Sequence, residues 1–210
     1  MKYKLIVFDM DGVIFKHDSF WNLLHLEYDT WEEGEQLNEL YLKVDVKELA
    51  DRVINGLWKG KDAEPFFTLI RKAEYNKGVK DTIKRLKELG FYTCILTTGP
   101  IELAKRVQVE LKIDFVYGNE MKIKNGVITG EYNWLFLDFD KKGEFLQKIC
   151  NEHGFNLDDI IVVGDNEQDV YKFRVAGKSI AFNSKCEDLK KEADHVVEGN
   201  DLRGILKFIE

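Results

Sequence analysis

Apolar residues run without a break from Leu5 to Phe8, and the run ends abruptly in Asp9-Met10-Asp11-Gly12. A short continuous run of this kind predicts a strand covered on both faces. From about residue 18 to residue 73 the period changes. Leu37, Leu40, Tyr41 and Val44 recur at i, i+3, i+4, i+7; Ala50, Val53, Ile54 and Leu57 repeat the spacing, as do Phe66, Leu69, Ile70 and Ala73. Each set is one apolar helix face. With Phe20, Trp21, Leu23, Leu24 and Leu26 they predict four helical segments and no strand, a small bundle inserted after the first strand and read as a cap over residues 15–77.

Beyond Gly78 helix and strand alternate. Val79, Ile83, Leu86 and Leu89 share a helix face that Gly90 ends, and 91–96 reads as a strand. A helix over 102–111, a strand at 115–117, and a hairpin turning at Asn125-Gly126 between 121–123 and 127–129 follow. The remainder predicts a helix at 143–153, a strand at 160–163, a helix near 168–175, a strand at 179–182 and a terminal helix near 202–209. This alternation predicts an α/β fold, a Rossmann-like parallel sheet flanked by helices, built from residues 1–14 and 78–210.

Composition narrows the function classes. At 210 residues, with 44% hydrophobic and 33% charged residues, the chain has the size and content of a soluble globular protein with one main core. Lys and Arg total 31 against 38 Asp and Glu, and a net charge of -7 argues against a nucleic-acid-binding surface. Cys94, Cys150 and Cys186 are scattered, with no CxxC pair, which suits reduced thiols in the cytoplasm. No stretch reaches the roughly 20 apolar residues of a membrane span, and Asp9 and Asp11 interrupt the first apolar run too early for a signal peptide.

In an open parallel sheet, ligands gather beyond the carboxyl ends of the strands. Asp9 and Asp11 follow the first strand, Thr97 and Thr98 the second, and Gly164-Asp165-Asn166-Glu167-Gln168-Asp169 the strand at 160–163, while Lys142 precedes the helix at Gly143. An Asp-x-Asp pair alone is a common acidic turn. Three gathered carboxylates repel one another unless a cation sits among them, so Asp9, Asp11 and Asp165 point to a hard cation, and oxygen ligands open to substrate suit Mg2+. Thr97, with the amides of Thr98 and Gly99, suits a phosphoryl oxygen or, equally, a helix N-cap. Taken alone, Lys142 reads as a solvated helix-start lysine.

Together these residues resemble the haloacid dehalogenase superfamily: Asp9-Met10-Asp11-Gly12-Val13 is similar to its first motif, Thr97 to its second, Lys142 to its third and Gly164-Asp165 through Asp169 to its fourth. The helical insert lies between the first and second motifs, where that superfamily carries its C1-type cap. The resemblance implies two-step phosphoryl transfer, with Asp9 the nucleophile and Asp11 the acid and then the base. It also implies Mg2+ held by Asp9, the Asp11 carbonyl and Asp165, with Asp169 in support, and Thr97 and Lys142 on the transferring group.

Within the superfamily, Lys142 to Leu146, the Gly164-Asp165 loop and Asp201 to Lys207 look most like the phosphoserine phosphatase subfamily. That likeness implies a small phosphorylated metabolite as partner, phosphoserine-like, with Asp18 and Arg52 clamping its amino and carboxylate groups and Thr98, Gly99 and Gln168 lining the phosphate side. Asp18 is also placed to cap a helix, and Arg52 to sit solvated on one. Gln168 and Thr98-Gly99-Pro100 depart from the subfamily's usual residues. Phe15, Phe20, Trp21, Trp31 and Trp58 make the cap rich in aromatic rings, core for the most part; one or two facing the crevice would favour a less polar leaving group than serine. A phosphotransferase or a sugar-phosphate phosphatase or mutase of the same superfamily is the alternative. A receiver-type switch domain explains neither the cap nor Asp11.

Overall fold

A computed structural model describes residues 2–135 and 141–209. Seven strands form one sheet in the order β4-β3-β2-β1-β5-β6-β7. They are β1 (Leu5–Phe8), β2 (Tyr92–Pro100), β3 (Phe115–Lys124), β4 (Val127–Asn133), β5 (Ile160–Gly164), β6 (Lys178–Phe182) and β7 (His195–Val197). All neighbours pair in parallel except β3 and β4, the hairpin turned by Asn125 and Gly126. Every residue of β1 is fully buried. Ile6 and Phe8 pack into the apolar cluster on one side, Leu5 and Val7 into the one on the other. Its neighbours are β2 on one side and β5 on the other. Strand order therefore reverses at β1, the kind of switch point where an open sheet leaves a crevice.

The insert folds as α1 (Phe20–Glu27), α2 (Trp31–Tyr41), α3 (Val46–Asp51), a π-helical stretch over Arg52–Trp58, and α4 (Glu64–Lys72). Where α1 starts, Ser19 supplies the cap, its Oγ accepting from the Asn22 amide; Asp18 does not cap. Two chain crossings join insert and sheet, and Asn76 clamps them. Its backbone N–H donates to the Ile14 carbonyl, and Nδ2 donates to the carbonyls of Gly12, Val13 and Phe15 at 2.8, 3.0 and 3.1 Å. Asn76→Ala strands these buried acceptors and is expected to lower unfolding free energy by about 2–3 kcal/mol in urea; an unchanged midpoint would refute the clamp.

The hairpin also holds the insert. Gly60 and Ala63 donate backbone hydrogen bonds to Ile128 and Gly126, Ile128 donates back to Lys61, and Tyr132 Oη donates to Asp51 Oδ1 at 2.7 Å. β4 is thus shared between sheet and bundle.

The core helices are α5 (Val79–Glu88), α6 (Ile101–Leu111), α7 (Lys142–His153), α8 (Val170–Phe173) and α9 (Glu187–Glu192). Three differences from the sequence reading stand out. β3 runs unbroken through Gly118 and Asn119, where two pieces were expected; α9 and β7 were not expected; and the segment expected as a helix near 202–209 is 3-10 over Leu202–Phe208, whereas the helix expected near 168–175 forms as α8 after a 3-10 turn over Glu167–Asp169. No helix among the described residues is long and apolar enough to cross a membrane.

Candidate active site

The chain leaves β1 at Asp9, whose amide donates to the Val163 carbonyl at the end of β5, so the first acidic loop and the Asp165 loop emerge side by side. Gly12 makes that approach possible. It has φ +74°, and a Cβ there would lie 2.1 Å from Asp165 Oδ2. Gly164 leaves similar room for Asp169, whose Oδ2 a Cβ would meet at 2.3 Å. Asp169 Oδ2 accepts the amides of Asp165 and Asn166 at 2.9 and 3.3 Å, which fixes the loop.

One oxygen each from Asp9, Asp165 and Asp169 lies within 4.8 Å of the others. Asp9 Oδ1 is buried without a hydrogen-bond partner. A carboxylate oxygen without a hydrogen bond, gathered with two more carboxylates, fits a divalent cation, because hard oxygen donors and an excess of negative charge are what such an ion requires. The Asp11 carboxylate is turned elsewhere: Oδ1 is hydrogen-bonded to His17 Nε2 at 3.0 Å, and Oδ2 accepts the Phe20 amide at 2.9 Å.

Two buried lysines face the acids. Lys172 Nζ lies 2.6 Å from Asp169 Oδ1 and 3.7 Å from Asp9 Oδ1, fully enclosed. Lys142, the first residue of α7, is only 1% exposed, so it is not the solvated lysine its position alone suggested; its Nζ donates to Gln168 Oε1 at 3.1 Å. Burial, then the Asp169 charge, pushes the Asp9 carboxyl up to about 7, and burial with Asp169 and Asp9 pushes Asp165 up to about 9. Burial would raise Asp169 too, but Lys172 and Lys142 overcome it and hold the group ionised.

The sign of the resulting pH dependence follows. Two carboxyls whose folded values exceed the unfolded value of 3.8 keep protons that the unfolded chain releases. Without divalent cation, stability is expected to fall as pH rises from about 4 to about 9, and added cation to raise the melting temperature most at the alkaline end. Thermal melts with and without EDTA check this; a cation effect independent of pH would contradict it.

Thr97 is buried, and its Oγ accepts the Gly99 amide at 2.9 Å. It does not cap α6, which begins after Pro100, so β2 runs to the site and the N-cap alternative is excluded. The Thr98 carbonyl accepts from Asn119 Nδ2 at 2.8 Å and from Trp21 Nε1 at 2.9 Å. Thr98 Oγ donates to Gln168 Oε1 at 3.4 Å.

Above these groups a cavity of about 280 Å³ opens toward the insert, lined by Asp9, Asp11, Thr97, Thr98 and Gln168 at one end. Asp18 lies at its edge, largely exposed and 3.6 Å from Lys185. Arg52 is not brought to it. Its guanidinium pairs with Glu48 at 2.7 Å and lies over the Tyr41 ring on the outer surface. Sequence reasoning missed His17 and Lys172; the latter's only local signal is its spacing of three from Asp169, one helical turn.

His17 is a positioning residue for Asp11. His17→Ala is expected to lower kcat roughly 10- to 100-fold on an alkyl phosphate, part of what a positioned acid contributes, but far less on an aryl phosphate whose leaving group needs no proton. Equal losses on both esters would refute the role.

The chain matches the haloacid dehalogenase-like hydrolase family over residues 6–174. It is 31% identical to the phosphoserine phosphatase of Methanocaldococcus jannaschii, over 100% of this chain and 99% of the relative. Two solved structures superpose with each chain fully covered at 30% identity. One is a phospho-aspartyl intermediate analogue of phosphoserine phosphatase, at a TM-score of 0.86, and the other a substrate-bound phosphoserine phosphatase complex, at 0.87. With this match and this geometry, the chain belongs to the haloacid dehalogenase-like hydrolases, on their phosphoserine phosphatase-like side.

Proposed function

We propose that the protein is a Mg2+-dependent phosphomonoesterase that hydrolyses a small phosphorylated metabolite through an aspartyl-phosphate on Asp9. The observation that carries this reading is the Asp9 carboxylate, buried at the sheet's switch point with Oδ1 lacking a hydrogen bond, in a residue that lines the cavity. In the first step Asp9 attacks phosphorus, the bond from phosphorus to the alcohol oxygen breaks, and Asp11 delivers its proton to that oxygen. Water then attacks the same phosphorus, Asp11 takes its proton, and Asp9 is released with inorganic phosphate. Thr97 and the amides near Thr98 and Gly99 donate to equatorial oxygens, with Lys142 supplying positive charge. Asp9, Asp165 and Asp169 would hold a divalent cation, which would supply positive charge against the phosphoryl oxygens. Lys172 keeps Asp169 ionised for that task.

The insert over 15–77, with the hairpin bonded to it, forms the cap that shelters the phosphoenzyme from bulk water. The relatives' names make O-phospho-L-serine the first substrate to assay. Three free thiols support a reducing, cytoplasmic setting. The test is phosphate release from a panel of small monoesters with Mg2+ or EDTA. Cation-dependent release is expected; release unaffected by EDTA would overturn the reading.

A further inference from the structure

We propose that the alcohol released by this phosphatase is uncharged and largely apolar, seated against tryptophan and aliphatic side chains of the cap; this rests on the phosphomonoesterase reading. The cavity has two unlike ends. Besides Asp9 and Thr97, its wall includes Trp21, Trp58 and Trp134, three of the four tryptophans, together with Leu42, Leu49 and Val53. The cap's polar side chains that line it are Asp18, paired with Lys185, and Ser19, Asn22, His25 and Asn38; burial pushes the His25 imidazole below the ordinary histidine range, which favours its neutral form.

Among the described residues no lysine or arginine lines this cavity, and residues 136–140 contain neither. Arg52 is held outside by Glu48, and the exposed Lys43 and Lys185 are paired with Glu167 and Asp18. An amino-acid alcohol would bring its carboxylate against an acidic lining with no lysine or arginine to pair it, at the cost of an unpaired charge. An alcohol bearing only an ammonium group would need a free carboxylate or open aromatic faces, and Asp18 is paired with Lys185 while Asp11 is bonded to His17 and the Phe20 amide. Trp21 instead stacks on Trp58 and on Trp134, with centroids 6.1 and 5.3 Å apart, so those rings spend faces on one another. Flat aryl or branched alkyl groups match what is left, and the Trp21 bond to the Thr98 carbonyl fixes this wall relative to the phosphoryl end.

The experiment compares kcat/KM for benzyl phosphate, O-phospho-L-serine and phosphocholine in Mg2+. Benzyl phosphate is expected to exceed both by at least roughly tenfold, the scale on which an apolar pocket discriminates. Parity, or preference for either charged ester, overturns the proposal. Because tryptophans line the cavity, their fluorescence reads binding without turnover, so benzylphosphonate and the phosphonate analogue of phosphoserine are titrated in parallel. If no ester is hydrolysed yet benzylphosphonate binds at least roughly tenfold tighter, the phosphatase reading fails and the cavity assignment stands. Tighter binding of the serine phosphonate overturns the assignment.

Discussion

Asp9→Asn is expected to lower phosphate release by at least roughly 10⁴-fold, the scale on which removing a nucleophile acts. The amide keeps the shape of the carboxylate and loses its negative charge and, with it, the oxygen's nucleophilicity. Stability should move the other way. In the wild-type protein without cation, burial and the Asp169 charge already push protons onto Asp9, so a neutral amide removes a liability there. The variant should therefore unfold in EDTA no more easily than wild type, and should respond less to added Mg2+. Retention of more than a few percent of activity would contradict the covalent role, and wholesale unfolding would contradict the electrostatic account. Circular dichroism and urea titration beside the phosphate assay separate these results.

The second large effect belongs to Lys172. Its ammonium is fully enclosed between Asp169 and Asp9, with the Leu96 carbonyl at 3.4 Å as a further acceptor. Burial works against its charge, and the two carboxylates more than compensate, raising it above the ordinary lysine range. Lys172→Met retains most of the volume but leaves two buried carboxylates facing each other. Loss of one member of a buried pair costs roughly 3–5 kcal/mol, and that destabilisation is expected in urea at neutral pH with EDTA present. Part of it should return with Mg2+, because the ion supplies charge to the same acids. A loss under about 1 kcal/mol would place Lys172 in the class of exposed pairs, whose contribution is that small.

What the sequence made legible was whatever a short window carries. Leu5 to Phe8 announced a central strand because both its faces are buried, and the acids that follow announced the crevice because a parallel sheet puts its site there. The four helical segments of the insert were equally plain from their apolar spacing. Elements with one apolar anchor were not. α9 buries only Leu189, and β7 is three residues long, so neither generates a period. Gly118 and Asn119 hid the continuity of β3 because they lack the apolar character of a buried strand, although Asn119 is used to hold the Thr98 carbonyl.

Long-range charge was the least legible feature. Lys142 is buried against groups far away in the chain, and Lys172, though one helical turn from Asp169, is also enclosed by Asp9 from the first strand's end, which no local pattern encodes. For Arg52 a local competitor decided the matter: Glu48, four residues earlier on the same helix face, holds the guanidinium outside. Ser19 likewise outcompeted its neighbour Asp18 for the helix start, and the two residues differ too little as caps for sequence to choose between them.

The covalent chemistry on Asp9 is the central claim, and trapping tests it most directly. The Asp11→Asn protein, given Mg2+ and p-nitrophenyl phosphate, should accept the phosphoryl group, since that leaving group departs without an acid, and then hydrolyse slowly for want of a base. Rapid acid quenching followed by peptide mass spectrometry is expected to find one phosphoryl group on the peptide containing Asp9, removable by hydroxylamine and missing when Asp9→Asn is added. Phosphoryl on any other residue, or steady turnover with no adduct at Asp9 in the wild-type protein, would contradict it.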